Sequence, residues 1–400
     1  MSWFYRIYHF ALKCIVIFIG IPNPKLHQGK TGLLDAIEAL GLKSGDNVLV
    51  VTDQVLLKLN LHQVVENTLR ESEFVTHYYA DVLPNPTIAN VEDGLKVYQQ
   101  HQCKAIIALG GGSVLDTGKL IGARAVKPNK PVTKLKGLFK VLKRLPPNIA
   151  IPTTAGTGSE TTVAAVVNDP SNHAKYAATD FCLVPHHAVL LPELTTSMPA
   201  HITATTAIDA LTHAIEALLS INCLKFSRGR ALEACRAIFE YLPKAQQDPQ
   251  NLEARAQLLL ASHYAGQAFT RTSVGYVHAI SHQLSAQYGT PHGLANAVLL
   301  MPVLTWYGER INQQLALIAR YCGLTSLDYP VERQADDLLE HIKRLLLDLH
   351  IQTTLTEVLP DDAALLAELA LKEAHPDYPV PHFMDPSACQ RIIKGIAPTP

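Results

Sequence analysis

Four histidines and one aspartate in the second half of the chain stand at spacings that could hold a metal ion. His278 and His282 are four residues apart, so on a helix they lie on one face, and His292 follows a Gly-Thr-Pro break. Upstream, Asp209 and His213 have the same spacing inside an apolar segment. Burying so many titratable groups without a partner costs free energy, so the paired pattern favours a shared ion. A carboxylate with neutral imidazoles suits Fe(II), Zn(II), Mn(II) or Co(II).

The spacing leaves alternatives open. A lone histidine in an apolar helix is usually a core or surface residue, so packing remains an explanation for each one taken singly. Three histidines between residues 278 and 292 also compete for two ligand positions, and the spacing does not choose among them.

Two glycine-rich loops follow apolar strand patterns in the first half of the chain. The strand predicted at 104–109 runs directly into Gly110-Gly-Gly112, and the strand predicted at 148–151 runs into the PTTAGTGS sequence at 152–159. Glycines let backbone N–H groups approach a ligand, and a helix N-terminus favours a phosphate. Either loop alone could be an ordinary tight turn. Two of them at the carboxyl ends of parallel strands predict a diphosphate site.

Asp53 ends the first clear strand pattern, at 47–52. In a nucleotide-binding fold, an acid at this position can accept hydrogen bonds from ribose hydroxyls and repel a 2′-phosphate. Aspartate also caps helix N-termini well, so a purely structural role is the alternative.

The pattern of predicted strands and helices changes once along the chain. Strand and helix patterns alternate between residues 33 and 151, which predicts a parallel sheet with helices on both faces. Helical patterns dominate after about residue 199. The sequence therefore predicts an α/β dinucleotide-binding domain over 1–198 and an all-helical metal-binding domain over 199–400.

Composition excludes several broad classes. The chain is 48% hydrophobic and 17% charged with a formal net charge of −1, which is typical of a globular protein without affinity for nucleic acid. Seven scattered cysteines predict reduced thiols and a cytoplasmic protein. The apolar N-terminal stretch is too short for a membrane span and is predicted to pack on the body, with membrane contact or export as alternatives.

The segment 134–145 (KLKGLFKVLKRL) is predicted to be a basic amphipathic helix. We interpret it as a solvent-exposed surface segment whose apolar side packs on the rest of the protein. Membrane-surface binding or attraction of a phosphate-bearing ligand are the alternatives.

Taken together, these motifs resemble the iron-containing alcohol dehydrogenase family. The resemblance rests on DALTHAIE at 209–216, the histidine block at 278–293, GGGS at 110–113 and PTTAGTGSE at 152–160, and it runs from about residue 25 to the C-terminus. It implies a dehydroquinate synthase-like fold, NAD rather than NADP because Asp53 is acidic, and one divalent metal, Fe(II) or Zn(II). It also implies the metal ligands Asp209, His213, His278 and His292, with His282 as the catalytic proton relay.

The same resemblance implies a set of cofactor contacts at strand ends and loops. They are Asp53, Asn85, Gly111, Gly112, Ser113, Asp116, Thr153, Thr154, Thr157 and Lys175. Where the chain departs from the family pattern, at Tyr276 and Gln283, we expect side chains that border the substrate pocket.

The implied activity is hydride transfer between NAD(H) and a primary alcohol or aldehyde, by a homodimer or larger assembly. One alternative is an alcohol–oxoacid transhydrogenase of the same fold. Less favoured are a non-redox metal-dependent lyase resembling 3-dehydroquinate synthase and a membrane-associated protein.

Overall fold

The computed structural model describes residues 2–169 and 174–398. Its internal contacts divide the chain into two units, Ile21–Ser197 and Met198–Pro400, and the N-terminal helix α1 (Ser2–Ile19) belongs with the second unit. The predicted division placed residues 1–198 together, whereas α1 bonds to segments at 221–222 and 376–381 that come much later in the sequence. Sequence order could not show this, because the partners of α1 lie far from it along the chain.

The unit Ile21–Ser197 is built on a parallel sheet of six strands in the order β1-β9-β6-β4-β2-β3, with a second sheet in the order β5-β8-β7. The strands are β1 (Lys25–Gln28), β2 (Asn47–Val51), β3 (Val75–Tyr79), β4 (Ala105–Gly110), β5 (Gly137–Leu138), β6 (Asn148–Pro152), β7 (Ala164–Asp169), β8 (Ala174–Thr179) and β9 (His187–Leu190). The helices are α2 (Gly29–Glu38), α3 (Gln54–Lys58), α4 (Gln63–Glu71), α5 (Ile88–Gln100) and α6 (Gly112–Val126).

Successive side chains of the central strands enter separate apolar cores on the two faces of the sheet. In β2, Leu49 and Val51 pack into one core, while Val48 and Val50 pack into the other. Side chains alternate along a strand, so a strand covered on both faces must be apolar throughout. This is why the run NVLVV contains no polar residue after its first position.

Among the described residues, the second unit contains helices and no strand. Besides α1, its helices are α7 (Ala200–Leu219), α8 (Lys225–Gln247), α9 (Leu252–Thr272), α10 (Tyr276–Tyr288), α11 (His292–Tyr307), α12 (Asn312–Tyr321), α13 (Val331–Asp348), α14 (Ala363–Ala374) and α15 (Pro386–Gly395). The predicted fold class, a parallel α/β part followed by an all-helical part, is confirmed.

The prediction of an amphipathic helix at 134–145 is wrong. A short 3-10 turn (Val132–Leu135) leads into β5, and both Phe139 and Leu142 have positive φ, which a right-handed helix cannot contain. The carboxylate of Asp180 accepts the backbone N–H groups of Val141 and Leu142, at 3.0 and 2.9 Å. Pairing with neighbouring segments therefore overrides the helical spacing of the leucines.

None of the described helices is both long enough and apolar enough to pass through a lipid bilayer.

Candidate metal centre and nucleotide loops

Helix α7 presents three polar side chains to the interior of the helical unit. Asp209, His213 and Glu216 follow a spacing of four and then three residues, so they share one face of the helix, and all three are buried. The rest of α7 is rich in alanine and leucine, which lets α8, α9 and α11 pack closely around it. The apolar helix thus fixes the polar side chains within a dry interior.

Three ligand atoms converge at one point beside α7. The ligand atoms of Asp209, His278 and His292 all lie within 4.8 Å of one another. Asp209 Oδ1 is 3.5 Å from His278 Nε2 and 3.6 Å from His292 Nε2. Helix α10 supplies His278, and the first residue of α11 is His292. A buried carboxylate with two imidazoles is a donor set that fits one divalent transition-metal ion.

Asn296 marks the centre of this cluster. Its amide Nδ2 donates to Asp209 Oδ1 at 2.7 Å and lies 3.1 Å from Nε2 of both His278 and His292. One small group is therefore within hydrogen-bonding distance of all three ligand atoms. The three atoms face a common point, as the ligands of a single ion must.

His213 lies beside this cluster. Its Nδ1 is 3.8 Å from Asp209 Oδ1, and its ring stacks on that of His278 with centroids 4.3 Å apart. On its other side the ring stacks on Phe269 at 4.1 Å. The role of His213 as a fourth ligand stays a prediction.

Glu216 orients His278 from behind. Its Oε2 accepts from Nδ1 of His278 at 2.6 Å and from the backbone N–H of Gly275 at 2.7 Å, while Oε1 accepts from the N–H of Val277 at 2.8 Å. The carboxylate therefore closes the N-terminus of α10 and holds the protonated Nδ1, which leaves Nε2 to face the cluster. A Cβ at Gly275 would lie 2.7 Å from Glu216 Oε1, so this close approach requires glycine.

The charges of the cluster depend on one another. Burial alone would raise the pKa of the Asp209 carboxyl, but His213, His292 and His278 outweigh it and hold that pKa well below its usual range. Burial would lower the pKa of His278, but Glu216 and Asp209 raise it to about 9. Near neutral pH without metal, the Asp209 carboxylate therefore faces the His278 imidazolium. A metal ion that binds there must displace the proton of that imidazolium.

His282 lies next to the cluster but is more exposed than its members. Its ring stacks on that of His292 with centroids 5.2 Å apart, and its Nδ1 is 2.6 Å from Glu373 Oε1. The hydroxyl of Tyr378 donates to the same oxygen at 2.6 Å, and the Gln283 amide donates to Oε2 at 2.7 Å. Burial would raise the pKa of Glu373, but His282 and these donors lower it, so the ionised carboxylate accepts a hydrogen bond from Nδ1 of His282.

Tyr276 lies in the core, and its expected position at the border of the substrate pocket stays a prediction. It is fully buried, its hydroxyl accepts the Met384 backbone N–H at 2.8 Å, and it lies 2.7 Å from His375 Nε2. Its size and these partners make it a core residue that ties α10 to the C-terminal segment.

In the unit Ile21–Ser197, the predicted nucleotide loops meet at one edge of the sheet. The neighbouring parallel strands β2, β4 and β6 all end at this edge. Asp53, Gly111 and Thr153 follow their last residues within two positions. The chain passes from β2 outward to β3 and returns to β4 on the other side of β2, so the strand order reverses between β2 and β4. Ligands of open α/β sheets bind outside the carboxyl ends of the strands at such a reversal.

Side chains of the two loops pack against the glycines. A Cβ at Gly112 would lie 2.8 Å from Thr157 Cγ2, and one at Gly111 would lie 3.6 Å from Thr154. The N–H of Thr153 donates to the Gly110 carbonyl at 3.1 Å, which joins the ends of β4 and β6. The N-terminus of α6 thus sits between two loops with hydroxyl groups, as a phosphate site requires.

Asp53 and Asn85 adopt defined backbone roles at the same edge. Asp53 Oδ1 accepts the N–H groups of Val55 and Leu56 at 2.8 and 2.9 Å, so this residue is the N-cap of α3. Asn85 has φ of 58°, and its N–H donates to Ser113 Oγ at 3.3 Å. The capping role of Asp53 is therefore present, and its contact with a ribose stays a prediction.

Asp116 is engaged within the protein. Its Oδ1 accepts from Ser159 Oγ at 2.6 Å and its Oδ2 accepts from the N–H of Val166 at 2.9 Å. The buried Lys119 lies 3.6 Å from the same carboxylate. These bonds tie α6 to the second glycine loop, so Asp116 supports the loop, and direct contact with the cofactor stays a prediction. Lys175 lies in β8, and its side chain is outside the described part of the structure.

The sequence reasoning missed three residues of the metal centre, Glu216, Asn296 and Glu373. Glu216 and Asn296 could have been found from their spacing, since Glu216 is seven residues after Asp209 and Asn296 is four residues after His292 on the same helix. Glu373 gave no such signal, because it is 91 residues from His282.

Comparison with known proteins agrees with this geometry. A family model described as iron-containing alcohol dehydrogenase matches residues 23–192, and one described as the C-terminal part of the Fe-containing alcohol dehydrogenase family matches residues 203–394.

Individual relatives match over most of their length. Alcohol dehydrogenase 4 of Schizosaccharomyces pombe is 35% identical over 350 residues, which cover 86% of this chain and 81% of that protein. An NAD-dependent methanol dehydrogenase of Bacillus methanolicus is 33% identical over 327 residues, covering 81% and 86%. The crystal structure of a 1,3-propanediol oxidoreductase superposes with a TM-score of 0.89 at 33% identity, covering 94% of this chain and 98% of that one.

Proposed function

Because this chain belongs to the iron-containing alcohol dehydrogenase family, we propose that it transfers a hydride between NAD(H) and a primary alcohol or its aldehyde at one divalent metal ion. The observation that carries the proposal is the convergence of Asp209, His278 and His292 on one point, with the first two of them buried. The relatives include enzymes named for methanol and 1,3-propanediol, so we propose a small primary alcohol as substrate.

Asp209, His278 and His292 would hold the metal, with His213 as a fourth ligand. When bound, Fe(II) or Zn(II) supplies a Lewis acid that lowers the pKa of an alcohol or polarises an aldehyde. Glu216 keeps the Nδ1 proton of His278, so that Nε2 is available as a ligand atom. Asp209 and His278 are buried, whereas His292 is partly exposed and opens one side of this donor set to solvent.

When bound, NAD would accept the hydride from the alcohol carbon, and His282 would pass the hydroxyl proton to solvent through its Nε2. The position of His282, partly exposed and one turn from His278, supports this route. Glu373 holds Nδ1 of His282 and so fixes the nitrogen that exchanges the proton. The products are the aldehyde, the reduced nicotinamide and one proton.

NAD is the proposed cofactor, bound at the carboxyl ends of β2, β4 and β6. The acidic Asp53 at the end of β2 supports NAD over NADP, because its charge repels a 2′-phosphate. All seven cysteines are free thiols, which supports the proposed cytoplasmic location. Assembly as a homodimer or larger stays a prediction.

The proposal is tested by a screen of primary alcohols with NAD, and aldehydes with NADH, following absorbance at 340 nm on protein purified anaerobically. We expect turnover that a chelator abolishes and that Fe(II) or Zn(II) restores. An alcohol oxidised together with a 2-oxoacid, without added NAD, would instead identify a transhydrogenase. No nicotinamide-linked turnover on any substrate with the metal bound would contradict the proposal.

Replacing His282 with alanine should leave the metal content unchanged and lower kcat by about 100-fold, the lower end of the range for proton transfer by a positioned side chain. The pH dependence of kcat should change as well, because the exchanging imidazole is gone. Steady-state kinetics across pH and metal analysis measure both effects. Glu373→Gln should reproduce the changed pH profile with a smaller fall in kcat, and loss of metal in His282→Ala would make His282 a ligand instead.

Replacing Asp53 with glycine should raise the ratio of NADP to NAD use at least about tenfold, since a full charge near the 2′-phosphate is removed. Asp53→Ser is the matched control for the capping role, because serine caps a helix as well as aspartate but has no charge. Both variants should change the ratio of the two kcat/KM values. If neither does, Asp53 acts as a cap and not in cofactor selection.

A further inference from the structure

Helix α1 packs on the helical unit with its polar side inward. His9 is buried, with Nε2 2.5 Å from the Pro376 carbonyl oxygen. The guanidinium of Arg6 donates to the carbonyls of Val380 and Pro381, at 2.7 and 2.9 Å. On a surface helix the apolar stripe normally faces the core and the polar face is solvated. The orientation of α1 is the reverse.

The outward face of α1 is an apolar stripe. Trp3, Phe10 and Phe18 are 67%, 67% and 85% exposed, and Phe4 and Ile7 complete the stripe. These residues follow the three- and four-residue spacing of one side of a helix that is about 27 Å long. None of the residues on the stripe is charged. An exposed apolar surface of this kind marks a contact site.

Basic side chains border this stripe. Lys13 Nζ donates to a backbone carbonyl of the segment 221–232 at 3.4 Å, which brings the C-terminal half of α1 beside the start of α8. That segment contains Lys225, Arg228 and Arg230 and no carboxylate. Basic residues of the start of α8 therefore lie close to the C-terminal half of α1.

Cys223 also lies between α1 and the start of α8. Burial raises the pKa of the Cys223 thiol, while Arg228 and Lys13 both act to lower it, so both cations lie near this thiol. Phe226, which is 40% exposed, carries the guanidinium of Arg271 at 4.6 Å over its ring. The segment beside α1 thus carries both aromatic and basic side chains.

A second copy of the chain is a poor occupant for this face. A two-fold contact would set the surface against itself and place the basic edges of both copies at the rim of one interface, with no carboxylate from segment 221–232 to pair them. An anionic lipid surface complements both features. Its headgroups neutralise the basic side chains, and the boundary between headgroups and acyl chains accepts aromatic side chains.

We propose that α1 lies in the plane of an anionic lipid surface, with its aromatic stripe at the acyl boundary and Lys225 and Arg228 against the headgroups. The contact would bring the enzyme to a membrane surface without any segment crossing it. Surface attachment through one helix and a few basic residues is reversible and weakens as salt is added.

Flotation of the full-length enzyme with vesicles tests the proposal. We expect binding to vesicles of phosphatidylcholine with about 30% phosphatidylglycerol at low salt, and much weaker binding to pure phosphatidylcholine. Trp3→Ser/Phe10→Ser/Phe18→Ser should lower the partition coefficient at least about tenfold. Lys225→Glu/Arg228→Glu should remove the preference for the anionic vesicles. Leu327→Ser/Leu347→Ser is the matched control, because these leucines are similarly exposed elsewhere, and it should bind as the parent does.

A second measurement does not depend on the folding of the triple variant. In Trp306→Phe, Trp3 is the only tryptophan, and its emission should shift to the blue on adding the anionic vesicles. Absence of flotation and of this shift at low salt would overturn the proposal, as would equal binding to both kinds of vesicle. A smaller oligomer for the triple variant than for the parent in light scattering would also overturn it, since a second copy would then be the occupant.

Discussion

Replacing His278 or His292 with alanine should remove the metal ion and the activity together. Each side chain places Nε2 within 3.6 Å of Asp209 Oδ1, and its loss leaves two members of the three-atom cluster. Loss of an outer partner of a metal ligand weakens binding by roughly 10–100-fold, so loss of a ligand itself should weaken it by at least about 100-fold. Metal content by mass spectrometry, Zn(II) titration and turnover measure the effect.

His201→Ala is the matched control, because His201 is exposed on the same helix as Asp209. It should keep both the metal and the activity. His213→Ala then decides the fourth position, since a loss of affinity as large as that of His278→Ala makes His213 a ligand. Unchanged metal content in His278→Ala or His292→Ala would show that the predicted ligand set is wrong.

Replacing Glu216 with alanine should produce the largest loss of stability among the variants considered. It leaves three buried donors without their acceptor, two backbone N–H groups at the start of α10 and Nδ1 of His278. Removal of one partner from a buried charged network costs about 3–5 kcal/mol. Metal affinity should fall by roughly 10–100-fold as well, because the imidazole is no longer held in one orientation.

Thermal unfolding and metal titration of Glu216→Ala and the milder Glu216→Gln separate these two effects. Glu240→Ala is the control, because Glu240 forms an exposed pair with Lys244 whose loss should leave both the stability and the metal affinity nearly unchanged. Gly275→Ala should weaken the same arrangement, since a Cβ there meets the carboxylate. A fall in stability with unchanged metal affinity would limit Glu216 to closing the helix.

The predictions from the sequence were accurate where local spacing decides the structure. The apolar strands that end at Asp53 and Gly110 reveal both the parallel sheet and the edge where its loops lie, because a strand covered on both faces has few alternatives. The spacing of four residues in α7 likewise placed Asp209 and His213 on one face. The family resemblance, which rests on these motifs, is confirmed.

The remaining features depend on contacts between distant parts of the chain. Which histidine stands nearest to Asp209 is set by the packing of α10 and α11 against α7, and the partnership of His282 with Glu373 spans 91 residues. In the segment 134–145, local spacing led to a wrong prediction. Its leucines have helical spacing, yet pairing of β5 with β8 and the Asp180 carboxylate determine its backbone.

The placement of α1 has a consequence for how the protein is made on the ribosome. Arg6 bonds to Val380, which is 374 residues later in the chain. At a synthesis rate of about 5–20 residues per second, α1 emerges roughly 20–75 s before its binding site exists. During that interval the inward-facing side chains of Arg6 and His9 have no native partner, because the carbonyls of Val380 and Pro376 have not yet been synthesised. Among the described helices α1 leaves the ribosome first, yet it docks among the last.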